Sequence, residues 1–138
     1  LLDYENHQGI QHLIGDLNRF YGQHPALWRR DTDPDSFEWI AVGDHSGAIF
    51  VFMRKGAAED DPVIVACNLT PTLYDYFRIG VPEQGTYGEC LNTNDSRYGG
   101  SGLGAGPLAT IDHGHHGRPC SLELTLPPLA TLILEKDY

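Results

Sequence analysis

The chain has 138 residues, of which 41% are apolar and 20% charged, and its formal net charge is −10. That length suits one domain with a single packed core, and that balance is globular rather than disordered. The acidity disfavours nucleic acid and anionic membrane surfaces, which are held by Lys and Arg against phosphates; a neutral partner, such as a sugar or another protein face, stays open.

The N-terminus, Leu1-Leu-Asp-Tyr-Glu5, has no basic region and no long apolar segment, so no signal peptide is read there. It lacks a starting Met, which predicts a fragment or a processed chain. Asn6 to Tyr21 predicts one long amphipathic helix. Ile10, Leu13, Ile14, Leu17, Phe20 and Tyr21 fall on one stripe at helical spacing. Asn6 suits an N-cap, Gly22 a stop, and Pro25–Trp28 one further helical turn.

Beyond the helix the period becomes two. Asp31-Thr-Asp-Pro-Asp-Ser36 is a turn cluster. Strands are expected at Phe37–Val42, Ala48–Arg54, Val63–Leu69, Tyr74–Val81, Tyr87–Asn92, Ser121–Leu126 and Leu129–Leu134. Gly43–Gly47 suits a hairpin loop, and Lys55–Pro62 a polar loop. Gly99–Gly106 opens about twenty residues expected as a long loop. Ser121, Glu123 and Thr125 alternate with Leu122, Leu124 and Leu126, so that strand has one apolar face. Pro127 and Pro128 lack N–H donors and end it. The fold class is therefore mainly β: an antiparallel β-sandwich preceded by one amphipathic α-helix.

That helix is an oddity. Burying a large apolar side chain is worth roughly 1.5–3 kcal/mol, so its stripe must pack on the outside of the sheet or on a domain that precedes Leu1. We expect the second.

The candidate chemical motifs mostly have plain readings. Asp31–Asp35 alternates acids like a calcium loop, but Ser36 and Val42 stand where Gly and Glu are needed, so it reads as a turn. Asp112-His-Gly-His-His116 carries metal-ligand chemistry in a flexible glycine-rich loop, and reads as a solvated loop rather than a site. Gly99–Gly106 lacks the Lys-Ser/Thr of a phosphate loop. Ser46, Ser101 and Ser121 lie in no nucleophile-elbow context. Cys67, Cys90 and Cys120 match no zinc spacing; Cys67 reads as a small core residue, and the odd count favours a reducing cytoplasm. No cofactor site is expected. No apolar run approaches the ~18 residues of a membrane span. Asn68-Leu-Thr70 and Asn94-Asp-Ser96 fit the glycosylation pattern, and a cytoplasmic chain would leave them unmodified. Among the aromatics, Trp39 is expected in the core beside Phe37 and Ala41, and Trp28 at the helix-to-sheet junction. Tyr98, in a loop before glycines, is the candidate surface residue for stacking on a sugar ring.

Taken together, several segments resemble the C-terminal end of bacterial-type glycogen branching enzymes, the 1,4-α-glucan branching enzymes of the α-amylase superfamily. They are Leu1-Leu-Asp3, His7–Leu13, Asp16–Tyr21, Asp33–Ile40, Cys67–Pro71, Tyr76–Pro82, Leu91–Thr93, Tyr98–Gly102 and His116–Leu134. The resemblance covers nearly the whole chain. It departs locally at Asp75-Tyr-Phe-Arg78 and His113–His116, so loop functions are not carried over. It implies an N-terminal β-domain, a catalytic (β/α)8 barrel and an all-β C-terminal domain. Residues 1–30 would be the barrel's last helix and junction, and 31–138 the C-terminal domain. It also implies a retaining double displacement by two carboxyl groups, cutting α-1,4 glucan and rejoining it as an α-1,6 branch. Those groups would belong to barrel loops upstream of Leu1, and no catalytic motif of the family matches a position here. The implied partners are the barrel of the same parent and, through it, α-glucan or glycogen. The alternative is a free-standing, non-catalytic glucan-binding module with Tyr98 as its platform.

Overall fold

The computed structural model describes residues 1–43 and 47–138. Helix α1 spans Glu5–Gln23 and is followed by a 3-10 turn at Pro25–Leu27. It starts one residue before Asn6: Tyr4 is the N-cap, without a side-chain bond, and its carbonyl accepts from the Gln8 N–H. The Asn6 cap is thus corrected, because the backbone closes its first turn without it.

Eight strands follow among the described residues: β1 Phe37–Gly43, β2 Ile49–Arg54, β3 Val63–Asn68, β4 Tyr74–Val81, β5 Thr86–Asn92, β6 Leu108–Ala109, β7 Cys120–Leu126 and β8 Ala130–Asp137. All seven expected strands are present. The expected Gly43–Gly47 hairpin loop falls on residues 44–46, Ser46 included, which lie outside the described residues. The long loop after Gly99 contains β6, too short for a periodic signal, and an isolated bridge pairing Ile111 with Ser121.

The fold is an antiparallel β-sandwich with one helix. One sheet has the order β1-β2-β3-β8-β5-β6, and the second pairs β4 with β7. The Pro127-Pro128 corner carries the chain between them: β7 ends in the smaller sheet and β8 begins in the larger. Leu129, in the left-handed region at φ 54°, makes the turn. The core lies between the sheets. Ile49, Val51, Ile64, Leu132 and Leu134 meet Ile79, Val81, Leu122, Leu124 and Leu126, all essentially inaccessible. The alternation in β7 thus does what period two demands.

A second apolar cluster lies on the opposite face of the larger sheet. Val63 and Val65 of β3, Ile133 of β8 and Leu91 of β5 pack there with Phe20 of α1 and Ala26, and Leu13 and Leu17 lie partly buried against them. The predicted helical stripe is therefore divided. Leu13, Leu17 and Phe20 turn to the sheet, while Ile10, Ile14 and Tyr21 are exposed. The expectation that the whole stripe faces away from the sheet is corrected: Leu13, Leu17 and Phe20 are seated on it. No helix is long and apolar enough to cross a membrane among the described residues.

Candidate functional site

The junction between α1 and the larger sheet is held by polar contacts as well as apolar ones. At the C-terminal end of α1, the His24 ring stacks on Phe20 with centroids 3.7 Å apart. Its Nδ1 lies 2.8 Å from the Phe20 carbonyl and its Nε2 3.3 Å from the Glu135 carboxylate of β8. Trp28 donates through Nε1 to the Tyr21 carbonyl at 2.9 Å. This satisfies one of the carbonyls that the end of a helix leaves open. The indole stays two-fifths exposed.

Near the middle of α1, the 3-10 turn Ser96–Tyr98 lies against the helix. Asp95 caps that turn by accepting from the Arg97 N–H at 2.8 Å. Tyr98 does not face solvent as expected. It is 7% exposed and donates its hydroxyl to Asp16 of α1. The reason is the glycine at position 9. A Cβ there would stand 2.6 Å from the Tyr98 carbonyl oxygen, so only glycine lets the turn come this close. Burial, then the bond to Asp16, pushes the Tyr98 phenol up to about 12. The same bond, helped by Arg19 and Arg97, holds the Asp16 carboxyl below the usual carboxylate range. This environment leaves no open ring face for a sugar.

Trp39 departs from expectation in the other direction. A bulge between Trp39 and Ala41 breaks the alternation of β1, so Ile40 and Ala41 are both buried while Trp39 is 50% exposed. Trp39 stands on the helix-side face of the larger sheet, edge-on to Phe37 and Phe52 at 4.9 and 6.0 Å between ring centroids. Sequence reasoning missed this aromatic surface because alternation pairs Trp39 with Phe37 but does not say which face of β1 is covered.

The remaining motifs fall on structural duties. Asp33 caps the Pro34–Ser36 turn through the Asp35 N–H and pairs with Arg30, whose bond is the main reason its carboxyl is held low. Cys67 is half-buried on the helix side, where Thr131 Oγ1 donates to its Sγ at 3.5 Å. Asn68 is fully buried, so this fold has no room for a glycan on it. Among the described residues no group of three or more His, Cys, Asp or Glu side chains is gathered in a ligating arrangement, and His113–His116 lie in the loop before β7.

Residues 39–137 match the family described as the alpha amylase C-terminal all-beta domain. The chain belongs to that family. Relatives named 1,4-alpha-glucan branching enzyme GlgB are similar over nearly its whole length. That of Cereibacter sphaeroides is 49% identical over 97% of this chain and 18% of its own length. Those of Rhodopirellula baltica and Rubrobacter xylanophilus are each 45% identical, over 99% and 97% of this chain and 19% of their own lengths. A crystal structure of the alpha-amylase from H. orenii covers 86% of this chain and 18% of that one, at 19% identity and a TM-score of 0.49. The chain therefore spans about a fifth of the curated relatives it matches. The resemblance to branching enzymes and the mainly β fold class both stand.

Proposed function

We propose that this chain is the C-terminal accessory part of a glycogen branching enzyme in a cytoplasmic glycogen-building pathway. The parent would cut α-1,4 glucan chains and rejoin them as α-1,6 branches, with the catalytic carboxylates on a barrel that precedes Leu1. Residues 1–30 would complete that barrel with its last helix, and 31–138 would be the domain that holds the helix from behind. One observation carries the reading. The helix has two apolar faces, one seated on the sheet through Leu13, Leu17 and Phe20 and the other uncovered at Ile10, Ile14 and Tyr21. A helix shared between two packed units has that form. The similarity to branching enzymes some five times longer supports a second unit outside this chain.

The work of the chain is then mechanical. It fixes the helix against the sheet with the Phe20 cluster, the His24 contacts and the Tyr98–Asp16 bond. The test is direct. The full-length parent should introduce α-1,6 linkages into amylose, and the 138-residue chain alone should introduce none. A parent without branching activity, or a chain with it, overturns the proposal.

A second reading has one observation in its favour. Trp39 and Phe37 offer exposed aromatic faces on the open part of the sheet, the chemistry that stacks on sugar rings. On this reading the domain also touches glucan, through Trp39 rather than through the buried Tyr98.

A further inference from the structure

The helix's open stripe is not the only uncovered apolar surface on its side of the molecule. The last ladder pair of β3 and β8 is Asn68 opposite Ala130. One step beyond it stand Leu69 and Leu129, 59% and 70% exposed. By the alternation of β3, Leu69 extends the row Val63, Val65, Cys67, which is the row that faces α1. Leu13 and Cys67 both pack against that helix-side cluster, so the row that ends at Leu69 begins beneath the helix.

This end of the sheet is built, not loose. The Leu69 N–H bonds the Ala48 carbonyl and the Leu129 N–H the Thr70 carbonyl, each at 2.9 Å. Beneath them the buried Asn68 side chain donates to the carbonyls of Thr72 and Pro127 at 2.9 and 3.0 Å and accepts from Thr70. Leu129 is held at φ 54°, a conformation that leucine rarely adopts, with its side chain in the open. Residues 68–73 and 127–131 contain no ionisable side chain, in a protein of net charge −10. An uncharged apolar projection held in this way is suited to contact with another apolar surface.

We propose that Leu69 and Leu129 form a second seat for the domain that precedes Leu1, in addition to the stripe of Ile10 and Ile14. This rests on the reading of the chain as the end of a longer enzyme and adds where the β-domain itself touches that enzyme. The occupant follows from two facts. About four-fifths of the related proteins lies outside this chain, and the surface adjoins the helix through which that part would enter. The preceding domain then rests on both α1 and the end of β3, so its angle to the β-domain is fixed rather than hinged about one helix.

The test uses the full-length parent carrying Ile14→Cys, Leu69→Cys, Leu129→Cys or Tyr76→Cys, with thiol-labelling rates measured natively, in denaturant, and against the unsubstituted parent. Tyr76 lies on β4, in the other sheet, and serves as the exposed reference. Leu69→Cys and Leu129→Cys should label about tenfold or more slowly than Tyr76→Cys in the native parent, as buried positions do. If Ile14→Cys is protected while Leu69→Cys and Leu129→Cys label at the Tyr76→Cys rate, the second seat is overturned and the proposed function stands. If all label fast, the shared-helix reading falls with it. Hydroxyl-radical footprinting of Leu69 and Leu129 in the unsubstituted parent gives the same answer without any substitution: slow oxidation of both supports the seat, and rapid oxidation of both overturns it.

Discussion

Tyr98 donates its hydroxyl to Asp16, a residue 82 positions earlier in the chain. That bond ties the helix to a turn that follows β5 and precedes β6, so it spans the sequence between the first element and the middle of the sandwich. It also explains Gly9, since the Tyr98 backbone occupies the space a side chain would need. Gly9→Ala should therefore push the Ser96–Tyr98 turn off the helix and cost about 1–3 kcal/mol, as other overpacking changes do. Chemical denaturation of the two proteins would measure it.

The same bond has a signature in pH. The Tyr98 phenol is pushed up to about 12, first by burial and then by Asp16, and Tyr87 also reaches about 12, chiefly through burial. Their raised values stabilise the fold fully below the unfolded tyrosine value of about 10. That contribution fades as pH rises from there through about 12. Asp16 runs the other way: its lowered value stabilises above the ordinary carboxylate value and is lost as pH falls through the lowered one. Absorbance titration of tyrosinate should show Tyr87 and Tyr98 ionising late. Tyr98→Phe should remove one of those late ionisations and weaken the acid dependence of stability that Asp16 supplies.

What was legible in the sequence followed from periodicity. Leu122, Leu124 and Leu126 alternate with polar residues, and the structure buries all three. Pro127 and Pro128 mark the corner where the chain changes sheets. The helix was equally plain, but the division of its stripe was not. Leu13 and Ile14 are adjacent in sequence and nearly equal in hydrophobicity, and only the position of β3, β5 and β8 decides which one is covered. Trp39 and Tyr98 were exchanged for related reasons. Trp39 keeps the face of Phe37 on edge strand β1, where the second apolar cluster does not extend, and a distant glycine admitted Tyr98 to the interior; neither leaves a local pattern.

Trp39 provides a prediction that separates surface from core. Trp39→Ala removes an exposed ring, so its effect on stability should stay below about 1 kcal/mol, whereas Leu124→Ala in the core should cost about 2–5 kcal/mol. If the sheet face touches glucan, the Trp39→Ala parent should also migrate faster than the unsubstituted parent in glycogen-containing gels. Unchanged mobility would remove glucan contact at this face.

Asn68 provides the sharpest test of the Pro-Pro corner. Its amide donates to the Thr72, Leu126 and Pro127 carbonyls, and its Oδ1 accepts from the Thr70 N–H and hydroxyl. An amide suits the site, because three of these partners accept from the side chain and two donate to it. Asn68→Asp should be worse than Asn68→Ala, since it sets a carboxylate against three carbonyls in a fully buried site. Asn68→Ala should cost about 2–4 kcal/mol, the scale of several buried groups left unpaired. Thermal unfolding would rank the two.

The divided helix makes opposite predictions for the two faces. Leu17→Ala and Phe20→Ala open the cluster against Val63, Val65 and Ile133 and should destabilise this chain. Phe20 is nearly buried, so its loss should approach the 3–5 kcal/mol typical of a core aromatic, while the half-buried Leu17 should cost less, about 2 kcal/mol. Ile14 and Tyr21 are half exposed in this chain, so Ile14→Asn and Tyr21→Asn should change its stability by no more than about 1 kcal/mol. In the full-length parent the order should change. Ile14→Asn would then place a polar amide against an apolar neighbour and should lower the melting temperature more than it does in this chain. Calorimetry on both lengths compares the four variants. An Ile14→Asn effect equally small in both would mean that nothing in the parent covers the second face of α1.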